Sequence, residues 1–167
     1  MLIGNPDKFA FLLEIVPEWS ADSFANGLFF IFFNGVQYPS ELRTTTINVD
    51  LYALLSEDSP FIRPQDDDAL FSLNTPELFN ILWERTFPKE DDNDYRFLVP
   101  LHEMSDADFV LFIVSSGEKV KLLLGRGKGT EKATFIDETA IERTEHMGVL
   151  QQLQDYHQKL SGEISSS

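Results

Sequence analysis

The chain contains no cysteine, so it can hold neither a disulfide framework nor a thiolate metal centre. That absence suits a reducing compartment, and the cytoplasm is the expected location. Long apolar runs are missing too: the longest, Leu28–Phe33, falls far short of the roughly 20 residues a membrane-crossing helix needs. The N-terminal stretch has no basic leader, places Pro6 and Asp7 before its apolar residues and is interrupted by Glu14, which is not the pattern of a signal peptide. Histidine is scarce, at positions 102, 146 and 157, without an i, i+4 pair or an HExxH pattern, so metal ligation through histidine is not expected. Basic residues are outnumbered, 13 against 28 acidic, leaving a net charge of −15. Such a field repels nucleic acid and anionic membranes and attracts a basic partner.

The motifs of common chemistries are absent as well. Gly125–Thr130 follows an apolar stretch, but its spacing is not that of a P-loop and β-prone residues follow it, so it reads as a flexible basic hairpin loop. No serine sits in a nucleophile-elbow sequence. The runs Asp66–Asp68 and Asp91–Asp94 lack the glycine and the register of a calcium loop. No cofactor is expected. His157, beside Tyr156, reads as a partly buried, hydrogen-bonded imidazole.

What is present is a core. The 167 residues are 43% hydrophobic and include 15 Phe, enough for a single core spanning residues 1–160, with a frayed tail at 161–167. Phe9–Val16 reads as a strand, and Leu28–Phe33 as a central strand covered on both faces, turning through Asn34-Gly35 into Val36–Tyr38. Thr44–Ile47 is β-prone, and Asn48 is positioned to cap a short helix over Val49–Leu55. Residues 56–68 read as an exposed connection. A helix starts with Thr75 as N-cap and Pro76 at N1, carries Leu78, Phe79, Leu82 and Trp83 on one stripe, and stops at Pro88. Lys89–Asp94 is a solvated loop before a strand at Tyr95–Val99. Phe109–Val114 and Val120–Leu124 form another hairpin, Ala133–Glu142 adds a strand, and Glu145–Leu160 is amphipathic through Val149, Leu150, Leu153, Tyr156 and Leu160. The fold class is α+β: a mainly antiparallel sheet built from hairpins, packed by a middle helix and a C-terminal helix.

Charge is unevenly spread. Residues 57–108 carry 14 acidic and 4 basic side chains, which is 10 of the 15 net negative charges. The carboxylates of Asp66, Asp67, Asp68, Glu90, Asp91, Asp92 and Asp94 are the candidate contacts for a basic protein partner, through charge-assisted hydrogen bonds and fast association. The bland reading of the same residues is a solvated face that keeps the protein soluble. Trp83 or Phe61 could serve as an aromatic anchor, although Trp83 reads better as core, and Trp19 as a plug at one end of the sheet.

The opening Met1-Leu2-Ile3-Gly4-Asn5-Pro6, followed by Phe9-Ala10, Glu14-Ile15-Val16, Glu18-Trp19, Asn26-Gly27, the Asn34-Gly35 turn and Tyr38-Pro39, resembles the immunity protein 42 family of bacterial polymorphic toxin systems. Thr44–Asn48 and the Val149–Leu153 helix ending near Tyr156 are similar in placement. The resemblance implies a small cytoplasmic protein made beside a secreted toxin, which it binds and blocks, with no catalysis of its own. It assigns no toxin-contacting residue. It leaves Gly4, Pro6, Phe9, Trp19 and Gly27 as fold-determining, and it is silent on the acidic middle. The expected partner is therefore a toxin with a basic surface, of the kind that acts on nucleic acid, and neither nucleic acid itself nor a membrane; the oligomeric state is open. The alternative reading is an acidic secretion chaperone for an effector protein, which would work as a dimer.

Overall fold

The computed structural model describes residues 1–21, 23–128 and 132–164. Strands β1 (Leu2–Asn5), β2 (Phe9–Ile15), β3 (Asn26–Phe33), β4 (Val36–Tyr38) and β5 (Thr45–Thr46) form one antiparallel sheet, with β5 paired to the start of β3. The Asn34-Gly35 turn is the one expected: both residues have positive φ, 50° and 83°, and Phe33 pairs with Val36. The first strand is an addition to the sequence reading. It pairs Leu2–Asn5 with Phe9–Leu12 around a Pro6-Asp7-Lys8 turn.

Register then explains the core. Phe9 lies opposite Phe33, Phe11 opposite Ile31 and Leu13 opposite Phe29, so all six share one face, and all six are buried. Their rings meet edge-on, Phe9 with Phe11 at 5.1 Å and with Phe33 at 5.3 Å. The opposite face of β3 is only partly covered: Phe30 is buried, but Leu28 and Phe32 are half-buried. The coverage on both faces expected for Leu28–Phe33 belongs to a different strand.

That strand lies in the second half of the chain. After α1 (Ile47–Leu54), α2 (Asp68–Phe71), α3 (Thr75–Thr86), β6 (Leu98–Val99) and α4 (His102–Ser105), strand β7 (Phe109–Ser116) enters a second antiparallel sheet of order β6-β7-β8-β9, with β8 Lys119–Arg126 and β9 Thr134–Glu142. Alternate residues of β7 serve two separate apolar clusters. Phe109, Leu111 and Ile113 join the cluster shared with the first sheet, α1 and the last helix; Val110, Phe112 and Val114 join a second one under α3 with Leu78, Phe79, Leu82 and Trp83. The single core expected from composition is thus two clusters, one on each face of the second sheet. The fold class is α+β, with hairpin-built antiparallel strands in two sheets.

The last helix, α5 (Arg143–Ile164), buries Val149, Leu153 and Leu160 as the periodicity predicts. It also runs through 161–164, where fraying is the expectation; the remainder of that tail, 165–167, lies outside the described residues. Other boundaries shift for identifiable reasons. Asn74, not Thr75, caps α3: its side chain accepts from the Glu77 amide at 3.2 Å and donates to the Glu77 carboxylate at 2.8 Å. This frees the Thr75 hydroxyl to bond Glu138 on β9. Helix α1 begins at Ile47, and Asn48 does not cap it; its side chain accepts from the Ala25 amide at 2.9 Å and donates to the Ser23 carbonyl at 3.0 Å. The Tyr95–Val99 strand shrinks to Leu98–Val99, because the Asp94 carboxylate bonds the Arg96 amide and bends the chain. Gly125 and Arg126 belong to β8, so the basic loop starts at Gly127, and its residues 129–131 lie outside the described residues.

Candidate binding surface

The edge of β7 positions the first acidic stretch, and the end of α3 the second. Strand β6 occupies only part of that edge, where the Ile113 amide donates to the Phe97 carbonyl at 2.9 Å. Two residues further on, the Ser115 amide donates to the Gln65 carbonyl at 2.9 Å, and the Asp67 amide donates to the Ser115 carbonyl at 3.0 Å. Residues 65–67 therefore continue the pairing where β6 stops. The 56–68 connection is not simply exposed, as expected: Ser59 and Phe61 are buried and Asp66 bridges to β7.

Each carboxylate of the first stretch has a structural task. Asp66 Oδ1 accepts from the Ser115 hydroxyl at 2.8 Å and from Arg143 Nη2 at 2.6 Å; the Ser115 bond, then the Arg143 charge and hydrogen bond, hold its pKa below the usual aspartate value. Asp67 caps α2, accepting from the Leu70 amide at 2.9 Å. Asp68 accepts from the Ser116 hydroxyl at 2.7 Å.

The second stretch folds back over the end of α3. The Asp94 amide donates to the Arg85 carbonyl at 2.9 Å and the Asn93 side-chain amide donates to the Thr86 carbonyl at 2.7 Å, satisfying carbonyls that a helix end leaves open. Asp94 is gripped by Arg96, whose Nε and Nη2 donate to its two oxygens at 2.9 and 2.8 Å. That bidentate pair lowers the Asp94 pKa and raises that of Arg96, which Asp67 also raises through space. Arg96 is thus the charge between the two stretches. Glu90, Asp91 and Asp92 are exposed, and among the described residues they make no ion pair and no side-chain hydrogen bond. Asp91, Asp92 and Asp94 line a groove of about 330 Å³ with Ile81, Glu84, Arg85 and Pro88.

The aromatic expectations divide. Trp83 is core, stacked on Phe79 and 4.6 Å from Phe87. Phe61 is no anchor: it is fully buried between Phe11 and His146, at 5.6 and 4.8 Å. Trp19 is no plug: it is 47% exposed on a 3-10 turn behind Pro17, and Ser20 and Asn26 hydrogen bonds close that end instead. Phe24 and Tyr52, at 53% and 74%, are likewise solvent-facing aromatics that the acidic pattern gives no reason to notice. His157 is half-buried, and burial lowers its pKa. His146 is the buried imidazole, missed because only the helical register, not its neighbours in sequence, points it inward. Arg96 and Arg143 escape the sequence reading too; the Asp94-x-Arg96 spacing is a readable signal for the first and nothing local marks the second.

Among the described residues, no group of three His, Asp or Glu side chains is placed to hold a metal ion, and no helix is long and apolar enough to cross a membrane. No curated protein matches the chain. Among solved structures, the chain is similar to CdiI from Burkholderia dolosa AUO158, with a TM-score of 0.75 and 29% identity over 93% of this chain and 99% of that one. The model of the family described as Immunity protein 42 matches residues 1–156. The match spans both sheets and most of α5, and the chain belongs to the immunity protein 42 family.

Proposed function

We propose that this immunity protein neutralises its cognate toxin by covering a basic active site with the carboxylates gathered at the β7 edge and the end of α3. The toxin domain is one that acts on nucleic acid, whose cleft is basic because its substrate is a polyanion. The complex forms in the cytoplasm of the producing cell, in the setting of contact-dependent inhibition, and the protein acts by binding, without a reaction of its own.

One observation carries the reading: Glu90, Asp91 and Asp92 are exposed without an internal partner among the described residues, in the same segment as Asp94, which Arg96 fixes, while Asp66, Asp67 and Asp68 are fixed by the fold at the β7 edge. Fixed acids set a preorganised field, and unpaired ones meet incoming Arg and Lys at little cost in lost internal bonds. Opposite fields on the two proteins also speed their encounter, and salt screens that gain.

The test is co-purification with the toxin domain encoded beside this chain's gene, together with rescue of growth on co-expression. A stable 1:1 complex and rescue are expected. Failure of both would remove the function, and a homodimer holding an unfolded effector segment would replace it with the secretion-chaperone reading.

A further inference from the structure

Three depressions surround the C-terminal end of α3 and share lining residues. The first, about 710 Å³, is lined by Trp83, Phe87 and Pro88 together with Glu84, Lys89 and Lys132. It shares Glu84 and Pro88 with the groove of Asp91, Asp92 and Asp94. It shares Trp83 and Phe87 with a third depression of about 370 Å³, which Asp106, Asp108 and Lys128 also line. The result is a trough with an aromatic wall, the tilted Trp83–Phe87 pair, between two acidic pockets.

The walls are built rather than incidental. Asn93 and Asp94 tie the 87–94 segment to the last carbonyls of α3, and Asp108, at φ 63°, is held by a bond from the Gly127 amide to its carbonyl at 2.9 Å. Glu84, Asp91, Asp92 and Asp106 are exposed and enter no ion pair among the described residues. Charge also decides the occupant. A second copy would bring another net −15 to the same place, so self-association through this trough is opposed.

We infer that the trough receives a basic segment of the toxin, with one apolar side chain seated against Trp83–Phe87 and flanking Arg or Lys side chains in the pockets of Glu84, Asp91 and Asp92 and of Asp106 and Asp108. This rests on the inhibitor reading above and narrows it: the contact surface centres on the end of α3, and Asp66–Asp68 at the β7 edge add to the negative field around it. Lys89, Lys128 and Lys132 repel a cation placed out of register, which supplies selectivity.

The experiment measures association and dissociation of the neighbouring-gene toxin domain, inactivated at its catalytic centre, at low and high salt. It compares the wild type with a Glu84→Lys, Asp91→Lys, Asp92→Lys triple variant, with Phe87→Ala, and with Trp19→Ala, Tyr52→Ala as a remote surface. The triple variant is expected to weaken binding on the order of a hundredfold, largely through the on-rate, and to flatten the salt dependence. Phe87→Ala is expected to weaken it about tenfold through the off-rate. The Trp19, Tyr52 variant is expected to bind as the wild type does. The triple variant changes only exposed side chains, so it keeps the test decisive if Phe87→Ala folds poorly. Wild-type binding with an unchanged triple variant overturns the trough alone, as does loss confined to the Trp19, Tyr52 variant. No binding by the wild type overturns the inhibitor reading and the trough with it.

Discussion

Arg143 and Asp66 meet at 2.6 Å across 77 residues of chain, joining the first turn of α5 to the acidic stretch on the β7 edge. Arg143 also donates from Nε to the Gly117 carbonyl at 2.8 Å, so one guanidinium holds the β7–β8 turn and the carboxylate together. The Ser115 hydroxyl bond is the largest single cause of the lowered Asp66 pKa, and Arg143 adds both its charge and its own hydrogen bond. Carboxyl carbon NMR titration should therefore show Asp66 moving up toward the ordinary aspartate value in both Ser115→Ala and Arg143→Gln. An Asp66 titration unchanged in Ser115→Ala would mean that the Arg143 charge, not the hydroxyl bond, governs this acid.

The same pair marks the boundary of what sequence can tell. The Asn34-Gly35 hairpin, the α3 stripe and the α5 stripe are legible because turn chemistry and periodicity are local. Strand β1 is not, since Leu2–Asn5 is short and pairs only because Gly4, at φ 97°, allows the chain to press against Phe9 and Ala10, where a Cβ would lie 2.6 Å from the Phe9 carbonyl. The acidic middle is legible as charge but not as structure. Whether an aspartate caps a helix, grips Arg96 or faces water depends on partners such as Ser115, Ser116 and Arg143, which lie far away in sequence. Trp19 misleads for the converse reason: aromatic character suggests burial, yet Pro17 turns the chain outward there.

Gly125 is where the second apolar cluster is most sensitive. A Cβ on it would lie 2.0 Å from Phe79 Cζ, against a helix whose Phe79 and Trp83 fill the space over β8. Gly125→Ala should cost about 1–3 kcal/mol, because a packed interior relieves the overlap only by moving the helix. Urea unfolding with an unchanged m-value would check it; a loss below about 0.5 kcal/mol, the usual size of a surface effect, would show that α3 lifts freely.

His146 sets a pH dependence of stability. It is 2% exposed, its Nε2 has no hydrogen-bond partner among the described residues, and burial first, with the Arg143 charge adding, pushes its pKa down to about 4, against a backbone hydrogen bond at Phe61 that raises it. The unfolded chain takes up the proton near pH 6.5 and the folded chain only near 4, so stability is flat above 6.5 and falls between them. The difference amounts to about 3 kcal/mol. Asp66, Asp94 and Glu145, whose pKa values are lowered, add a separate loss that begins only as pH falls through the normal carboxylate range. Denaturant midpoints measured from pH 8 to 2 should show both windows, and His146→Gln should remove most of the upper one, leaving the part contributed by half-buried His157, whose pKa burial also lowers. A His146→Gln profile that falls between 6.5 and 5 as steeply as the parent's would assign that slope to another group.

The two kinds of acid in the middle region separate by stability as well as by position. Asp67 caps α2 through the Leu70 amide, so Asp67→Ala should cost about 1 kcal/mol, the ordinary value of an N-cap. Glu90, Asp91 and Asp92 hold nothing within the described fold, and like charges adjacent in sequence repel. The triple change Glu90→Gln, Asp91→Asn, Asp92→Asn should therefore leave stability within about 0.5 kcal/mol of the parent or raise it slightly, and the gain should shrink as salt is added. Thermal and urea unfolding of both variants distinguish the two classes directly. A large loss from the triple change would make those carboxylates part of the scaffold, and the surface at the end of α3 would then lack the unpaired charge that a basic partner needs.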